Sequence, residues 1–253
     1  MHAALIGGSV AAVATALGTL PALFARGIGQ RTQDALLGFG AGVMLAACAF
    51  SLVLPGLEAA RLQGAGPWGA GLTVGLAIVL GAAMIMALDV AIPHEHFIKG
   101  PEGRASSRIK RAWLFVFAIC LHNLPEGLAI GVAFATDHAQ GVALTTGIAI
   151  QDMPEGFVIA IALIVAGYGR IRAVLVGIAS GLIEPVGAVI GASVVVALPW
   201  LLPGGLGFAA GAMLFVVSHE IIPESHRQGH ENFATGGLMV GFVLMMLLDT
   251  ALS

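Results

Sequence analysis

His122-Asn123-Leu124-Pro125-Glu126-Gly127 and Gln151-Asp152-Met153-Pro154-Glu155-Gly156 share one pattern: polar, polar, apolar, Pro, Glu, Gly. Each hexad lies inside a long apolar run, and no Lys or Arg occurs between Arg111 and Arg170. In a bilayer an ionisable side chain at mid-depth costs about 2.5–3.5 kcal/mol on the mildest scale, so such residues ordinarily face a site or a pathway. A costly pattern that occurs twice, about one membrane span apart, makes the rest of the chain a scaffold for the pair.

The apolar setting is general. Of 253 residues, 58% are hydrophobic and 10% are charged, and the mean hydropathy is +0.97. A water-soluble domain carries about 25% charged residues, so this chain lacks the charge to coat a water-facing surface. The expected fold class is all-α: a polytopic membrane protein whose surroundings are the lipid bilayer, with no nucleic-acid partner. The net charge of −3 matters less than where the charges lie. Cys48 and Cys120 sit in apolar runs without CxxC or Cys/His spacing, which reads as buried, inert thiol. No Lys or Arg precedes the first apolar run, so that run is expected to be a span and not a cleaved signal peptide.

A span needs about 20 mostly apolar residues. Eight stretches qualify: 3–24, 34–57, 68–92, 113–135, 142–167, 173–198, 204–223 and 233–252. The breaks between them carry Gly, Pro or charge, and the division between the fourth and fifth is the least marked. Arg26, Arg31, Lys99, Arg104, Arg108, Lys110, Arg111, Arg170, Arg172 and Arg227 fall in or beside alternate loops, and Arg61 alone lies on the other side. Positive charge marks the cytoplasmic face, which places both termini outside. The loop 93–112 is then cytoplasmic, and its segment Lys99 to Arg111 reads as a flexible linker.

Two internal matches overlie this plan. Residues 38–45 (GFGAGVML) in span 2 match residues 207–214 (GFAAGAML) in span 7, and Met86 to Asp89 in span 3 echo Met246 to Asp249 in span 8. By the loop assignment the matched spans run in opposite directions, the signature of an inverted-topology repeat. Spans 1–3 would pair with spans 6–8, and span 4 with span 5. Gly-rich patterns also recur in membrane helices simply because they aid packing. The eight-residue match outweighs that explanation; the four-residue echo alone would not.

On a helix, residues three and four apart share a face. Each hexad therefore sets two ligand-capable side chains one turn before its Glu: His122 and Asn123 before Glu126, Gln151 and Asp152 before Glu155. Pro125 and Pro154 disrupt the helix bonds to the carbonyls of Leu121 and Ile150. Gly127 and Gly156 admit a close neighbour. Span 6 adds Glu184-Pro185, and span 7 ends in Ser218-His219-Glu220. Four or five carboxylates without a fixed cation need protons or a metal ion to neutralise them. Imidazole, carboxylate and amide oxygen without thiolate suit Zn²⁺, Fe²⁺, Mn²⁺ or Cd²⁺ better than Cu⁺. Helix spacing suggests two ligand groups that share Glu155. One comprises His122, Glu126, Gln151 and Glu155; the other comprises Asn123, Asp152, Glu155 and Glu184.

Other polar residues read more plainly. A lone Pro in a membrane helix is often a kink, and a lone Asn or Gln is often helix–helix glue. Asp89 and Asp249 lie near span ends, where solvated structural roles suit them. Met44 and Met213 read as packing. His94, Glu95 and His96, and likewise His226, His230 and Glu231, fall in cytoplasmic loops; solvation is the plain reading, and metal capture on the exit side is the sharper one. Glu58 lies near the outer end of span 2, where a carboxylate can attract cations or serve as an ordinary loop charge.

Eight spans, HNLPEG in span 4, QDMPEG in span 5 and Glu-Pro in span 6 resemble the ZIP (Zrt/Irt-like) family of divalent metal transporters, and the likeness covers nearly the whole chain. The resemblance implies a single transmembrane domain over residues 1–253. In it, transport spans 1, 4, 5 and 6 slide in elevator fashion against scaffold spans 2, 3, 7 and 8, carrying Zn²⁺, Cd²⁺, Fe²⁺ or Mn²⁺ into the cytoplasm. It also implies a binuclear site of His122, Asn123, Glu126, Gln151, Asp152, Glu155 and Glu184. His219 and Glu220 would take part in metal release, and a homodimer would form through the scaffold. No organic cofactor is implied. Many eukaryotic members have His in place of Gln151 or Asp152, so the amide–carboxylate form resembles bacterial members and implies a bacterial inner membrane. With only His94 and His96 in the loop 93–112, a His-rich regulatory loop is absent.

Two other classes stand beside this reading. An intramembrane metal-dependent hydrolase would also bury His and carboxylates, but no HExxH occurs and neither hexad contains a Ser or Lys to serve as nucleophile beside its base. A divalent cation channel would need a continuous polar path, whereas an inverted repeat favours alternating access. The expectation is a transporter and not an enzyme.

Overall fold

Backbone polar groups in lipid must be satisfied within the chain, and a helix does this inside one segment. The computed structural model describes residues 1–24, 29–91, 94–96, 100–102, 111–165 and 168–252, apart from the side chains of residues 89, 91, 94–96, 100–102, 111–122, 162, 165, 220 and 252. It is almost wholly helical. In chain order the helices are α1 (His2–Thr19), α2 (Gln30–Ala46), α3 (Leu54–Leu62), α4 (Pro67–Ala91), α5 (Arg111–Thr136), α6 (His138–Val165), α7 (Arg170–Gly181), α8 (Ile183–Ala197), α9 (Leu202–Val216), α10 (Ile222–Ser225) and α11 (Glu231–Leu252). Among the described residues, six stretches are long and apolar enough to cross a membrane: His2–Leu23, Gln30–Leu62, Pro67–Leu88, Arg170–Ala197, Pro199–Ser225 and Glu231–Ala251. Between the third and fourth of these come α5 and α6, of 26 and 28 residues, which carry the hexads. The architecture is that of a multi-pass membrane protein.

Local chemistry explains where the helices stop and bend. The weakly marked division between α5 and α6 falls at Asp137. Its Oδ1 accepts hydrogen bonds from the N–H groups of Ala139 (2.8 Å) and Gln140 (3.2 Å) and so caps α6. Both hexad prolines lie inside continuous helices. Pro185 acts differently: the stretch expected as one span over 173–198 is broken between α7 and α8 at Leu182. Proline lacks an N–H and its ring crowds the carbonyl of Gly181; the chain turns at Leu182 and the helix restarts at Ile183, with Pro185 in its first turn. Two π-helical segments interrupt the matched spans at equivalent places. Ala47–Val53 follows residues 38–45, and Val217–Ile221 follows residues 207–214; each leads into a short helix with proline in its first turn.

Part of the loop 93–112 is ordered as an antiparallel ladder of β1 (His94–His96) and β2 (Gly100–Glu102), with His94 opposite Glu102. The remainder of that loop lies outside the described residues.

The outward faces are apolar, as a lipid-facing surface requires: Trp68, Leu72, Leu76, Val79 and Leu80 of α4 are all exposed. The interior mixes alanines of α1, α2, α5, α8 and α9 with larger side chains such as Met44, Ile85, Ile130, Leu144, Met213 and Met245. Helices pair closely: α2 with α11, α4 with α9, α5 with α8 and α1 with α6. Glycine makes each approach. A Cβ at Gly38 or Gly42 of α2 would fall on the carbonyl of Ala234 or Leu238, and α11 returns the relation through Gly237 and Gly241. Gly207 and Gly211 of α9 meet Val74 and Ile78 of α4 in the same way.

Gly42→Val should therefore lower the melting temperature of the detergent-solubilised protein, because its new side chain would lie 2.7 Å or less from the Phe242 nitrogen and the Leu238 carbonyl. Overpacking of this kind costs about 1–3 kcal/mol. Gly75→Ala, where no heavy atom lies within 4 Å of the added carbon, should leave the melting temperature unchanged or raise it. Equal melting temperatures for the two variants would contradict the packing account.

Candidate metal site

The two hexads meet. Their helices lie side by side, and Glu126 of α5 joins Asp152 and Glu155 of α6 in a group in which one carboxylate oxygen from each lies within 4.8 Å of the others. Glu126 and Asp152 are buried, and Glu155 is partly buried. The Gln151 side-chain amide donates a hydrogen bond to Glu126 Oε1, linking the hexads directly. Gln151 also abuts α2, with its Oε1 3.7 Å from where a Cβ on Gly40 would lie.

Glu184 enters from a third helix. The break at Leu182 makes it a first-turn residue of α8, where a carboxylate also favours the helix dipole. Its Oε1 accepts hydrogen bonds from Asn123 Nδ2 (3.2 Å) and from Thr15 Oγ1 (3.0 Å). The hexad glycines permit this convergence. A Cβ at Gly127 would meet the Glu184 backbone, 2.9 Å from its Cα, and one at Gly156 would lie 2.6 Å from the Thr15 carbonyl oxygen.

Asn123, Glu126, Gln151, Asp152 and Glu184 are each at most 3% exposed. Buried polar atoms ordinarily have partners, yet Asp152 Oδ2, Glu184 Oε2 and Gln151 Oε1 have no hydrogen bond. All three are acceptors, and buried acceptor oxygens left without a donor suit a cation. Their chemistry, oxygen without sulfur, fits a hard or borderline divalent ion.

The structure thus brings together Asn123, Glu126, Gln151, Asp152, Glu155 and Glu184. The remaining candidates fall elsewhere or beyond description. Among the described residues, the three-carboxylate group does not include Glu58 or His219. Glu58 is exposed on α3, and His219 is exposed in the second π-helical segment, stacked on Phe215 with ring centroids 4.9 Å apart. The side chains of His122, Asp89, His94, His96 and Glu220 lie outside the described residues.

Four sets of polar contacts were not read from the sequence. Thr15 looks like an ordinary helical threonine until α8 is packed against α1. Asp34 is fully buried, accepting from Gln30 Nε2 (2.9 Å) and lying 3.0 Å from His230 Nδ1; a solvated loop histidine is instead bound to α2. Ser51 Oγ donates to Asp249 Oδ1 (2.6 Å) across α11. His226 has both ring nitrogens engaged, by Ser225 and Ile222 on one side and Thr235 on the other.

Comparison with known proteins follows the same lines. The family described as ZIP Zinc transporter matches residues 93–249. The chain is 56% identical over 251 residues to the zinc transporter ZIPB of Bordetella bronchiseptica, covering 98% of this chain and 81% of that one. It is 43% identical to the zinc transporter GufA of Myxococcus xanthus over 253 residues, all of both chains. It is 33% identical to the zinc transporter ZupT of Chlorobium phaeovibrioides, over 98% of this chain and 97% of that one. The chain belongs to the ZIP family.

Three carboxylates this close repel one another whenever more than one is ionised. In chelator-treated protein at neutral pH, Asp152→Asn should therefore raise the melting temperature by about 2–4 °C for each kcal/mol of repulsion relieved. A marked fall would mean that Asp152 holds the fold together and is not kept in an unfavourable group.

Proposed function

We propose that this ZIP-family chain carries divalent transition-metal ions, zinc foremost, across the membrane into the cytoplasm, through a two-ion site between α5 and α6. One observation carries the reading: Glu126, Asp152 and Glu155 converge within 4.8 Å in a region whose sequence holds no Lys or Arg from residue 112 to residue 169. Such a group needs a mobile positive charge. The ligands are His122, Asn123, Glu126, Gln151, Asp152, Glu155 and Glu184, with Glu155 shared between the ions. The relatives named above are zinc transporters by name; Cd²⁺, Fe²⁺ and Mn²⁺ suit the same donors.

The wider reading rests on packing. With α5 and α6 counted, the chain has eight spans. An inverted repeat of spans 1–3 with 6–8, and of 4 with 5, is supported by three correspondences. The π-helical segments sit at matched places. The α2–α11 pairing corresponds to α9–α4, and the α1–α6 pairing to α8–α5. In the last of these, each hexad glycine meets the backbone of its partner helix, Gly156 at Thr15 and Gly127 at Glu184. The helices also group as transport spans 1, 4, 5 and 6 and scaffold spans 2, 3, 7 and 8, the division an elevator motion would use. The scaffold would form the homodimer. His219, Glu220, Asp89, His94 and His96 would serve the exit and Glu58 the entrance. Positive charge in alternate loops and bacterial relatives favour a bacterial inner membrane with both termini outside.

Purified protein in liposomes should take up Zn²⁺ and Cd²⁺ saturably, and Glu155→Ala should abolish the saturable component. Flux that never saturates would favour a channel. Absence of uptake by folded wild type would remove the transport reading.

A further inference from the structure

The carboxylate of Glu184 is oriented by a residue outside both hexads. Thr15, on α1 and 4% exposed, places Oγ1 3.0 Å from Glu184 Oε1 and 3.2 Å from the Ala11 carbonyl of its own helix. A β-branched side chain in a helix has few rotamers, and the hydroxyl's alternative acceptor lies one turn back on the same face. In the observed rotamer the hydroxyl lies within reach of both acceptors, with Glu184 Oε1 the nearer. Glycine encloses it: an added Cβ at Gly181 would lie 3.3 Å from Thr15 Cβ. Asn123 Nδ2 reaches the same Oε1 at 3.2 Å. One carboxylate oxygen thus accepts two donors, while Oε2 is buried with no hydrogen bond.

We propose that Thr15 is a positioning residue of the metal site, engaging Glu184 Oε1 so that Oε2 alone is presented to the cation. The inference rests on the metal-transport reading and deepens it toward selectivity. A carboxylate offering one oxygen suits a small tetrahedral ion such as Zn²⁺, whereas one free to offer both suits a larger ion with more ligands. Asn123 is oriented by the same contact: with its nitrogen on Glu184, its amide oxygen is the atom left for the ion.

The test is uptake into liposomes by wild type, Thr15→Val and Thr15→Ser, with Zn²⁺ and Cd²⁺ measured separately. Valine keeps the shape and removes the hydroxyl; serine restores it. Partners of metal ligands typically contribute about 10- to 100-fold in metal affinity. Thr15→Val should thus raise the KM for Zn²⁺ about tenfold or more, with maximal uptake per folded protein largely kept and the preference for Zn²⁺ over Cd²⁺ reduced. Thr15→Ser should lie close to wild type in both. Thr15→Ala is a second hydroxyl-free variant should valine prevent folding, with the same expected result. Wild-type KM and preference in the hydroxyl-free variants would overturn the positioning role while leaving transport intact, as would Thr15→Ser being as impaired as Thr15→Val. Failure of wild type to transport would remove the underlying reading as well.

Discussion

Close approach of carboxylates without a fixed positive charge is the constraint on which the rest of the structure depends. Glu126, Asp152 and Glu155 have oxygens within 4.8 Å of one another, the first two buried and the third partly so. Two helices, each kept continuous through an internal proline, must hold these groups together against their repulsion. Within the group the Gln151 amide bonds Glu126, and beside it Asn123 and Thr15 donate to Glu184. Every one of these partners is a donor. The donors satisfy some carboxylate oxygens and leave Asp152 Oδ2 and Glu184 Oε2 without hydrogen bonds, the arrangement expected of a site that a cation completes.

Packing without a hydrophobic driving force makes this possible. Helices in lipid associate through close van der Waals contact and polar bonds, so small residues decide which surfaces meet. Here glycine lets backbone meet backbone in each main helix pair, and hexad glycines bring Glu184 and Thr15 to the carboxylates. The glycine that ends each hexad is thus as much part of the site as its glutamate. It sets the distance at which the third and fourth contributing helices arrive.

The sequence made the hexads legible because ionisable residues in apolar runs are exceptional, and a repeated exception is stronger still. Among the described residues, six of the eight expected spans meet the structural criterion of length and apolarity, for the same reason: hydropathy over about 20 residues is a robust signal. The site residues outside the hexads were legible only where they were also costly in lipid, as Glu184 is. Thr15 was missed because a threonine in a helix normally bonds its own backbone, as it also does here to Ala11; its second acceptor arises only when α8 packs. The histidine of the Asp34–His230 contact looked solvated because its partner lies 196 positions away. The break at Leu182 was implicit in Pro185, but Pro125 and Pro154 show that proline alone does not decide between a break and a continuous helix.

The central claim is that a divalent ion is held by oxygen and imidazole donors of the paired hexads. Zinc K-edge X-ray absorption on purified, zinc-loaded protein tests it most directly. The account predicts a first shell of oxygen and nitrogen at about 2.0–2.2 Å with no sulfur, and loss of the bound zinc in Glu155→Ala. A sulfur scatterer at about 2.3 Å, or an unchanged spectrum in Glu155→Ala, would contradict it and place the ion elsewhere.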